Sequence, residues 1–170
     1  ENLVAFGQKY DGDVTCRRET IALSDILAEA HRYFEHEAEK KKIELSIEDE
    51  EDVVVTVDFH MILAVLRNLI SNGLKYSMPG GSVEVGYTIA EEEVEVYVRD
   101  NGIGIPEEAL ESIQSETTSF TSHGTAGEKG TGIGLSVCRF FLHKHGSALT
   151  IESSPGKGTV VWFSLRRYTQ

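Results

Sequence analysis

The order of hydrophobic patterns along the chain restricts its fold more than any other feature of the sequence. Apolar residues recur at helical spacing from about Ser24 to Lys41, from Asp58 to Tyr76 and over about 132–145. Short stretches that alternate or are rich in β-branched residues lie around these helices, at 14–21, 43–47, 53–57, 83–89, 94–98, 147–153 and 158–166. Many strands and few helices predict an α+β sandwich: a mostly antiparallel sheet of five or more strands, with three helices on one face.

The helix ends carry recognisable capping residues. Ser24 and Asp58 are the predicted N-caps of the first two helices, and Pro106 opens a short helix with acidic residues at its positive end. In the last long helix we predict that four apolar residues face inward: Ile133, Val137, Phe140 and Phe141.

The charge balance limits the classes of partner. The chain has 16 Lys and Arg against 28 Asp and Glu, a net charge of −12, which argues against a nucleic-acid or anionic membrane surface. One bound nucleotide stays compatible with this charge, because backbone amides and Mg²⁺ can carry its phosphates. The two cysteines are too few for a disulfide scaffold and suggest a reducing compartment. The sequence shows no signal peptide, and its abrupt start suggests a piece of a longer protein.

The second helix carries a polar face. Asn68, Asn72 and Tyr76 are spaced four apart and Lys75 lies three after Asn72, so all four side chains share one side of the helix. An amide oxygen, a cation and an aromatic edge suit a nucleoside triphosphate with Mg²⁺. The alternative is an amphipathic helix with a polar outer face.

Two glycine-rich segments lie next to predicted elements: the first follows a strand, and the second precedes a helix. Asp100 ends a strand and begins a glycine loop over 100–105, where a carboxylate beside bare backbone suits an amine-bearing ring such as adenine. The alternative is a glycine turn with a capping aspartate. Residues 127–135 lead into a helix whose free amides suit phosphate, with Lys129 and Thr131 adding a charge and a hydroxyl. Neither a dinucleotide motif nor a Walker loop fits this segment.

Two further segments are less specific. A hairpin turn is enough to explain the residues at 156–159. Residues 112–131 are rich in Ser, Thr and Gly, and a stretch of that length without periodicity is typical of a lid or binding loop.

Together, in this order, the segments resemble the catalytic and ATP-binding domain of sensor histidine kinases, in the superfamily shared with gyrase, Hsp90 and MutL. The asparagine box matches at 68–77, and the three glycine boxes match at 100–104, 130–135 and 156–159. The resemblance implies a two-layer α/β sandwich with a mixed sheet and a flexible ATP lid over about 112–131. Residues 1–13 would be the end of the preceding dimerisation helix and a linker, and 14–170 the ATP-binding domain.

The resemblance also assigns roles to individual residues. Asn72 would hold Mg²⁺, Lys75 would contact phosphate, and Asn68, Asn72 and Lys75 would form the catalytic set. Tyr76 would lie beside the adenine and Asp100 would accept from its amine. The remaining expected ATP contacts are Asn68, Gly102, Gly104, Ile105, Lys129, Gly130, Thr131, Gly132, Ile133, Gly134, Leu135 and Thr159.

Departures from the family pattern refine the expected activity. Asn68 stands where the hydrolysing relatives carry a glutamate, and an amide cannot act as a base, so we expect slow hydrolysis. Transfer to a nucleophilic histidine has less need of a base. His36 precedes Glu37 as a phosphoacceptor would, but it lies within a helix of this domain and is expected to be a surface residue. The chain alone should therefore bind nucleotide without autophosphorylation.

The partners that the resemblance implies are a dimerisation domain outside this chain and a response-regulator receiver domain. The implied compartment is the cytoplasm, and the resemblance is also compatible with a parent protein anchored in a membrane. The segment 112–115 replaces a phenylalanine-rich box, which leaves open a nucleotide-binding module that signals through lid docking without catalysis. An ATPase or an anti-sigma type of serine kinase is a further alternative, against which Asn68 counts.

Overall fold

The computed structural model of the chain describes residues 14–48, 51, 53–114, 124–127 and 132–169. Its strands are β1 (Glu19–Ala22), β2 (Glu44–Ile47), β3 (Val54–Val57), β4 (Ser82–Ile89), β5 (Glu93–Asp100), β6 (Thr150–Ser154) and β7 (Gly158–Arg166). Its helices are α1 (Leu23–Lys41), α2 (Phe59–Tyr76), α3 (Glu107–Gln114) and α4 (Gly134–Lys144). In the described residues no helix combines the length and apolar character needed to cross a membrane.

The main sheet has five strands in the order β2-β4-β5-β7-β6. β2 and β4 are parallel, the other neighbours are antiparallel, and β1 and β3 form a separate antiparallel pair. Alternate residues of the central strands are buried on one face, as in Val94, Val96 and Val98 of β5. The predicted mixed, largely antiparallel sandwich is therefore confirmed.

Helix α2 lies at the centre of the helical layer. It packs between α1 and α4 and also contacts β4 and β5. Half of its 18 residues are buried, and this apolar face gives the fold much of its core. Because α2 touches both helices and the sheet, a polar side chain on its remaining face lies close to several other elements.

Helices α2 and α4 run antiparallel, as three contacts in opposite order show. The position of Gly134 lies against Asn68 Oδ1, and Cys138 Sγ is 3.8 Å from the Val65 carbonyl oxygen. At the other end, the backbone N–H of Asp58 donates to His145 Nε2 at 2.9 Å. The start of α4 is thereby held beside the third turn of α2.

Two predictions about helix ends have different outcomes. Asp58 is confirmed as the N-cap of α2, since its carboxylate accepts from Met61 N at 3.1 Å. Ser24 is wrong as the cap of α1, because that helix begins at Leu23 after Ala22, which makes no side-chain cap. The Leu23 N–H instead donates to the Val53 carbonyl at 2.8 Å, so a bond to the chain leading into β3 replaces the side-chain cap.

The predicted inward face of α4 is also wrong in part. Ile133 precedes the helix and is 45% exposed, whereas the buried residues of α4 are Cys138 and Leu142. Phe141 packs against the core as predicted, whereas Val137 and Phe140 are only partly buried.

The predicted lid boundary changes as well. Residues 112–114 belong to α3, where Ile113 is buried and Gln114 Nε2 donates to the Ile151 carbonyl at 3.2 Å. This contact to β6 explains why the helix continues past the point where apolar periodicity ends. The rest of the predicted lid is described only at 124–127, and the predicted dimerisation-helix end at 1–13 lies outside the described residues.

Candidate functional site

The polar face predicted for α2 exists. Asn68, Asn72, Lys75 and Tyr76 lie on the C-terminal half of this helix, and each is partly exposed. Lys75 Nζ lies 4.8 Å from the centre of the Tyr76 ring, within the range of a cation–π contact. Asn68 Nδ2 donates to the Ala64 carbonyl at 3.0 Å, which fixes the amide and turns its oxygen toward the start of α4.

Asp100 ends β5 on the face of the sheet that α2 covers. Its Oδ1 accepts from the Gly102 N–H at 2.9 Å. Burial raises the pKa of Asp100 above its ordinary value, and hydrogen bonds from the backbone N–H groups of Gly102 and Thr159 partly oppose that rise. A carboxylate has about four acceptor sites, so these two bonds leave capacity for a further donor.

Helix α2 and the glycine loop meet directly. A Cβ on Gly73 would lie 3.1 Å from the methyl groups of Val83 and 3.7 Å from Asp100 Cβ. The Ile103 N–H donates to the Tyr76 carbonyl at 3.1 Å. The structure therefore brings the predicted asparagine box and the first glycine box together, although they are more than twenty residues apart.

The third glycine box reaches the same place from the other side. Thr159 pairs with Asp100 in the β5–β7 register. Its Oγ1 lies 2.9 Å from Ser153 Oγ, which also accepts from the Ile105 N–H at 2.8 Å. Ser153, a residue that the sequence analysis did not select, thus joins Ile105 to Thr159, and Thr159 in turn pairs with Asp100.

The second glycine box is described only from Gly132 onward. The N-cap of α4 is Ile133, whose apolar side chain cannot accept a hydrogen bond from the first helical N–H groups. Gly134 lies against Asn68, and Leu135 is partly exposed in the first turn. Lys129, Gly130 and Thr131 lie outside the described residues. Free N–H groups at a helix start attract an anion.

The comparisons with known proteins agree with this geometry. The profile of the family described as "Histidine kinase-, DNA gyrase B-, and HSP90-like ATPase" matches residues 58–169. The chain belongs to this family of ATPases. The matched region begins at the cap of α2 and includes the polar face of α2, Asp100, the start of α4 and Thr159.

Members with known names are similar over most of the chain. The "Non-motile and phage-resistance protein" of Caulobacter vibrioides is 30% identical over 158 residues, which is 91% of this chain and 19% of that protein. Sensor histidine kinase WalK of Bacillus subtilis is 38% identical over 116 residues, 67% of this chain and 19% of WalK. The chain therefore spans about a fifth of the length of these curated relatives.

A solved catalytic domain shares the fold. That of histidine kinase ThkA is 30% identical, with a TM-score of 0.76 over 89% of this chain and 98% of that one. A structure of ThkA in complex with the response regulator protein TrrA is 26% identical, with a TM-score of 0.76, covering 98% of this chain and 46% of that one.

The chemistry of the candidate site residues fits a magnesium–nucleotide complex. A buried carboxylate with spare acceptor capacity, a lysine beside an aromatic ring and an uncapped helix start lie around one region. In the described part of the chain no three His, Cys, Asp or Glu side chains group into a metal site. Asn72, which is partly exposed on the polar face of α2, stays the predicted ligand for Mg²⁺ together with phosphate oxygens.

Two residues of the site were missed by the sequence analysis. Ser153 had a signal, because it is two residues after the buried Ile151 on the same face of β6 and is polar where the core continues. Thr125 had none, since it lies in a segment rich in Ser, Thr and Gly, yet its hydroxyl lies within hydrogen-bond distance of the carbonyl oxygens of Lys75 and Ser77.

A hollow of about 380 Å³ borders the site, since its lining includes Asp100, Ser153 and Gly158 together with outward-facing residues of the sheet. These include Glu84, Arg99, Val160 and Glu152, which are paired across β4, β5, β7 and β6. Arg99 forms an ion pair with Glu84 at 3.2 Å there. Because Glu84, Arg99, Val160 and Glu152 alternate along their strands with the buried core residues, they lie on the face of the sheet opposite α2. We therefore do not assign this hollow to the nucleotide.

Proposed function

We propose that this chain is the ATP-binding catalytic domain of a sensor histidine kinase. It would transfer the γ-phosphoryl group of ATP to a histidine on a dimerisation domain outside this chain. The observation that carries the proposal is the convergence of three distant segments: the polar face of α2, the turn after Asp100 and the start of α4. The names of WalK and ThkA support a kinase over the other activities of the family.

Asp100 is the proposed contact for the base. Its carboxylate would accept from the exocyclic amine of adenine, while Gly102 N–H and Thr159 N–H keep the carboxylate in place. Tyr76 would lie beside the ring, since its carbonyl is bonded to Ile103 of the same loop. A guanine base, which carries an oxygen in place of that amine, would present an acceptor to this carboxylate and should be rejected.

The phosphate end would be held by α2 and α4. When bound, ATP would supply the phosphoryl group and Mg²⁺ would neutralise charge on its phosphates. Asn72 would contribute an amide oxygen to the ion, Lys75 a positive charge, and the first N–H groups of α4 direct hydrogen bonds. Asn68 bonds to the Ala64 carbonyl and borders Gly134, so it would fix the gap between the two helices without removing a proton from water.

The proposal includes two partners and a compartment. A response-regulator receiver domain would take the phosphoryl group from the histidine, and the structure of ThkA in complex with the response regulator protein TrrA supports a partner of this class. Because ATP is an intracellular substrate, the proposal places the domain in the cytoplasm. Nucleic acid and the membrane surface are not proposed as partners, given the net charge of −12.

Calorimetric titration with Mg-ADP and Mg-GDP tests the binding part. We expect saturable binding of one Mg-ADP and an affinity for Mg-GDP lower by about 10-fold to 100-fold, the scale of a buried polar group left with the wrong partner. Absence of binding at millimolar Mg-ADP would refute the proposed site. Equal affinity for the two nucleotides would refute the role of Asp100.

Labelled ATP and a matching dimerisation domain test the catalytic part. Label on the histidine of that domain is the expected result. Binding without transfer or hydrolysis would favour a nucleotide-binding module instead. Appreciable steady-state hydrolysis would favour an ATPase, which Asn68 argues against because an amide cannot activate water.

A further inference from the structure

The C-terminal end of α2 is fixed by several separate parts of the chain. The last four carbonyls of a helix have no partner within it and must be satisfied from elsewhere. The Gly73 carbonyl accepts from the Ser77 N–H at 3.0 Å, the Leu74 carbonyl from Lys41 Nζ at 2.6 Å, and the Tyr76 carbonyl from the Ile103 N–H at 3.1 Å. A cap residue, helix α1 and the glycine loop therefore each satisfy one carbonyl.

The remaining carbonyl, that of Lys75, is bonded to Thr125. The Lys75 carbonyl accepts from the Thr125 N–H at 3.0 Å and from its hydroxyl at 3.1 Å. The same hydroxyl also lies 2.8 Å from the Ser77 carbonyl oxygen. One side chain therefore connects to the main chain on both sides of Tyr76, from a position about fifty residues later in the sequence.

These contacts act on the part of α2 that the proposed function uses. Lys75 and Tyr76 carry the expected phosphate and adenine contacts, and they occupy the last two positions of the helix. Terminal turns fray unless their polar groups are satisfied. A shift of the Lys75–Ser77 main chain would move both side chains relative to Asp100, whose own position is fixed by the sheet.

We propose that Thr125 is a positioning residue for nucleotide binding, because its hydroxyl fixes the main chain that carries Lys75 and Tyr76. This inference rests on the proposed function. Thr125 does not contact the nucleotide in this proposal and acts through the helix end. A methyl group in place of the hydroxyl leaves the Thr125 N–H bond to the Lys75 carbonyl and removes the one hydroxyl proton that the carbonyls of Lys75 and Ser77 share.

Two substitutions at this position separate the hydroxyl from the shape of the side chain. Thr125→Val keeps the shape and removes the donor, whereas Thr125→Ser keeps the donor. Thr88→Val serves as a matched control, since Thr88 is an exposed threonine on β4. We expect Thr125→Val to weaken Mg-ADP binding by about 3-fold to 10-fold, with Thr125→Ser and Thr88→Val within 2-fold of the wild type.

Hydrogen exchange gives a second readout that needs no nucleotide. Amides over 72–78 should exchange faster in Thr125→Val than in the wild type, and Thr125→Ser should restore the slow exchange. Unchanged affinity in Thr125→Val, or equal weakening in Thr125→Val and Thr125→Ser, would overturn the positioning role. Failure of the wild type itself to bind Mg-ADP would show that the proposed function is wrong, and the positioning role would fall with it.

Discussion

Substitution of Gly158 tests how closely the third glycine box supports Asp100. Gly158 is buried at the start of β7 with φ of +82°, and a Cβ there would collide with the carbonyl oxygen of Asp100. Gly156 lies in the same turn with φ of +74°, but a Cβ on it would meet nothing within 4 Å. Both glycines therefore have a left-handed backbone, but only at Gly158 would an added Cβ approach Asp100 closely.

The magnitudes follow from this difference. Left-handed backbone costs an alanine about 1–2 kcal/mol, and this cost applies to both positions. At Gly158 the added methyl must also displace buried backbone, and overpacking of this kind costs about 1–3 kcal/mol more. We therefore expect Gly156→Ala to lower the free energy of unfolding by about 1–2 kcal/mol, and Gly158→Ala by about 2–5 kcal/mol.

Urea unfolding and Mg-ADP calorimetry on the two variants check this reasoning. Gly158→Ala should weaken nucleotide binding because it displaces the main chain of Asp100, while Gly156→Ala should bind as the wild type does. The titrations are made without urea, at a temperature where circular dichroism shows that both variants are folded. Equal destabilisation by the two substitutions, or unchanged affinity in a folded Gly158→Ala, would refute the support of Asp100 by this glycine.

Four further predictions concern the site and the core. Burial raises the pKa of Asp100, so its carboxylate protonates at a higher pH than an ordinary aspartate, and the affinity for Mg-ADP should fall early on acidification. In calorimetry at several pH values, Asp100→Asn should bind Mg-ADP more weakly, and its affinity should depend less on pH. Because of the same raised pKa, Asp100 contributes stability at pH values below its unfolded-state pKa, and this stability is lost as the pH rises through its folded-state pKa. In urea unfolding, the free energy of unfolding of the wild type relative to Asp100→Asn should therefore fall over that pH range. Asn72→Asp should weaken Mg-ADP binding by about 1–3 kcal/mol, because it replaces a neutral ligand by a charge that repels phosphate; wild-type affinity by calorimetry would contradict this. Burial raises the pKa of Cys138 to about 12, so iodoacetamide at pH 8 should label Cys16 and leave Cys138 unlabelled until the protein unfolds, as mass spectrometry can check.

Local periodicity was enough to predict much of the fold. The helical spacing around Asn68 and Asn72 predicted both the helix and its polar face, and Asp58 was correctly identified as its cap. The alternation from Val94 to Val98 placed Asp100 at the end of a strand. These predictions depend on residues close in sequence, where side-chain spacing alone decides which face is buried.

The parts that failed depend on contacts between distant segments. The start of α1 is set by a backbone bond from Leu23 to Val53, which no capping rule contains. The orientation of α4 is decided by what fits against α2, so the small Cys138 is fully buried while the larger Phe140 is only partly buried. Thr125 reaches Lys75 across about fifty residues, and nothing in its own segment indicates that contact.

One row of the sheet explains why the candidate site lies where it does. On the face that α2 covers, Val83, Asp100, Thr159 and Ser153 are paired in order across β4, β5, β7 and β6. The next row on this face, formed by Val85, Val98, Val161 and Ile151, is apolar and belongs to the core, whereas three of the four residues in this row are polar. Because the side-chain period of a strand is two, a slip of one residue in β5 would move Asp100 to the opposite face. The register that buries the valines of β5 therefore also fixes the carboxylate beside α2, so the core and the proposed adenine contact are specified by the same pattern.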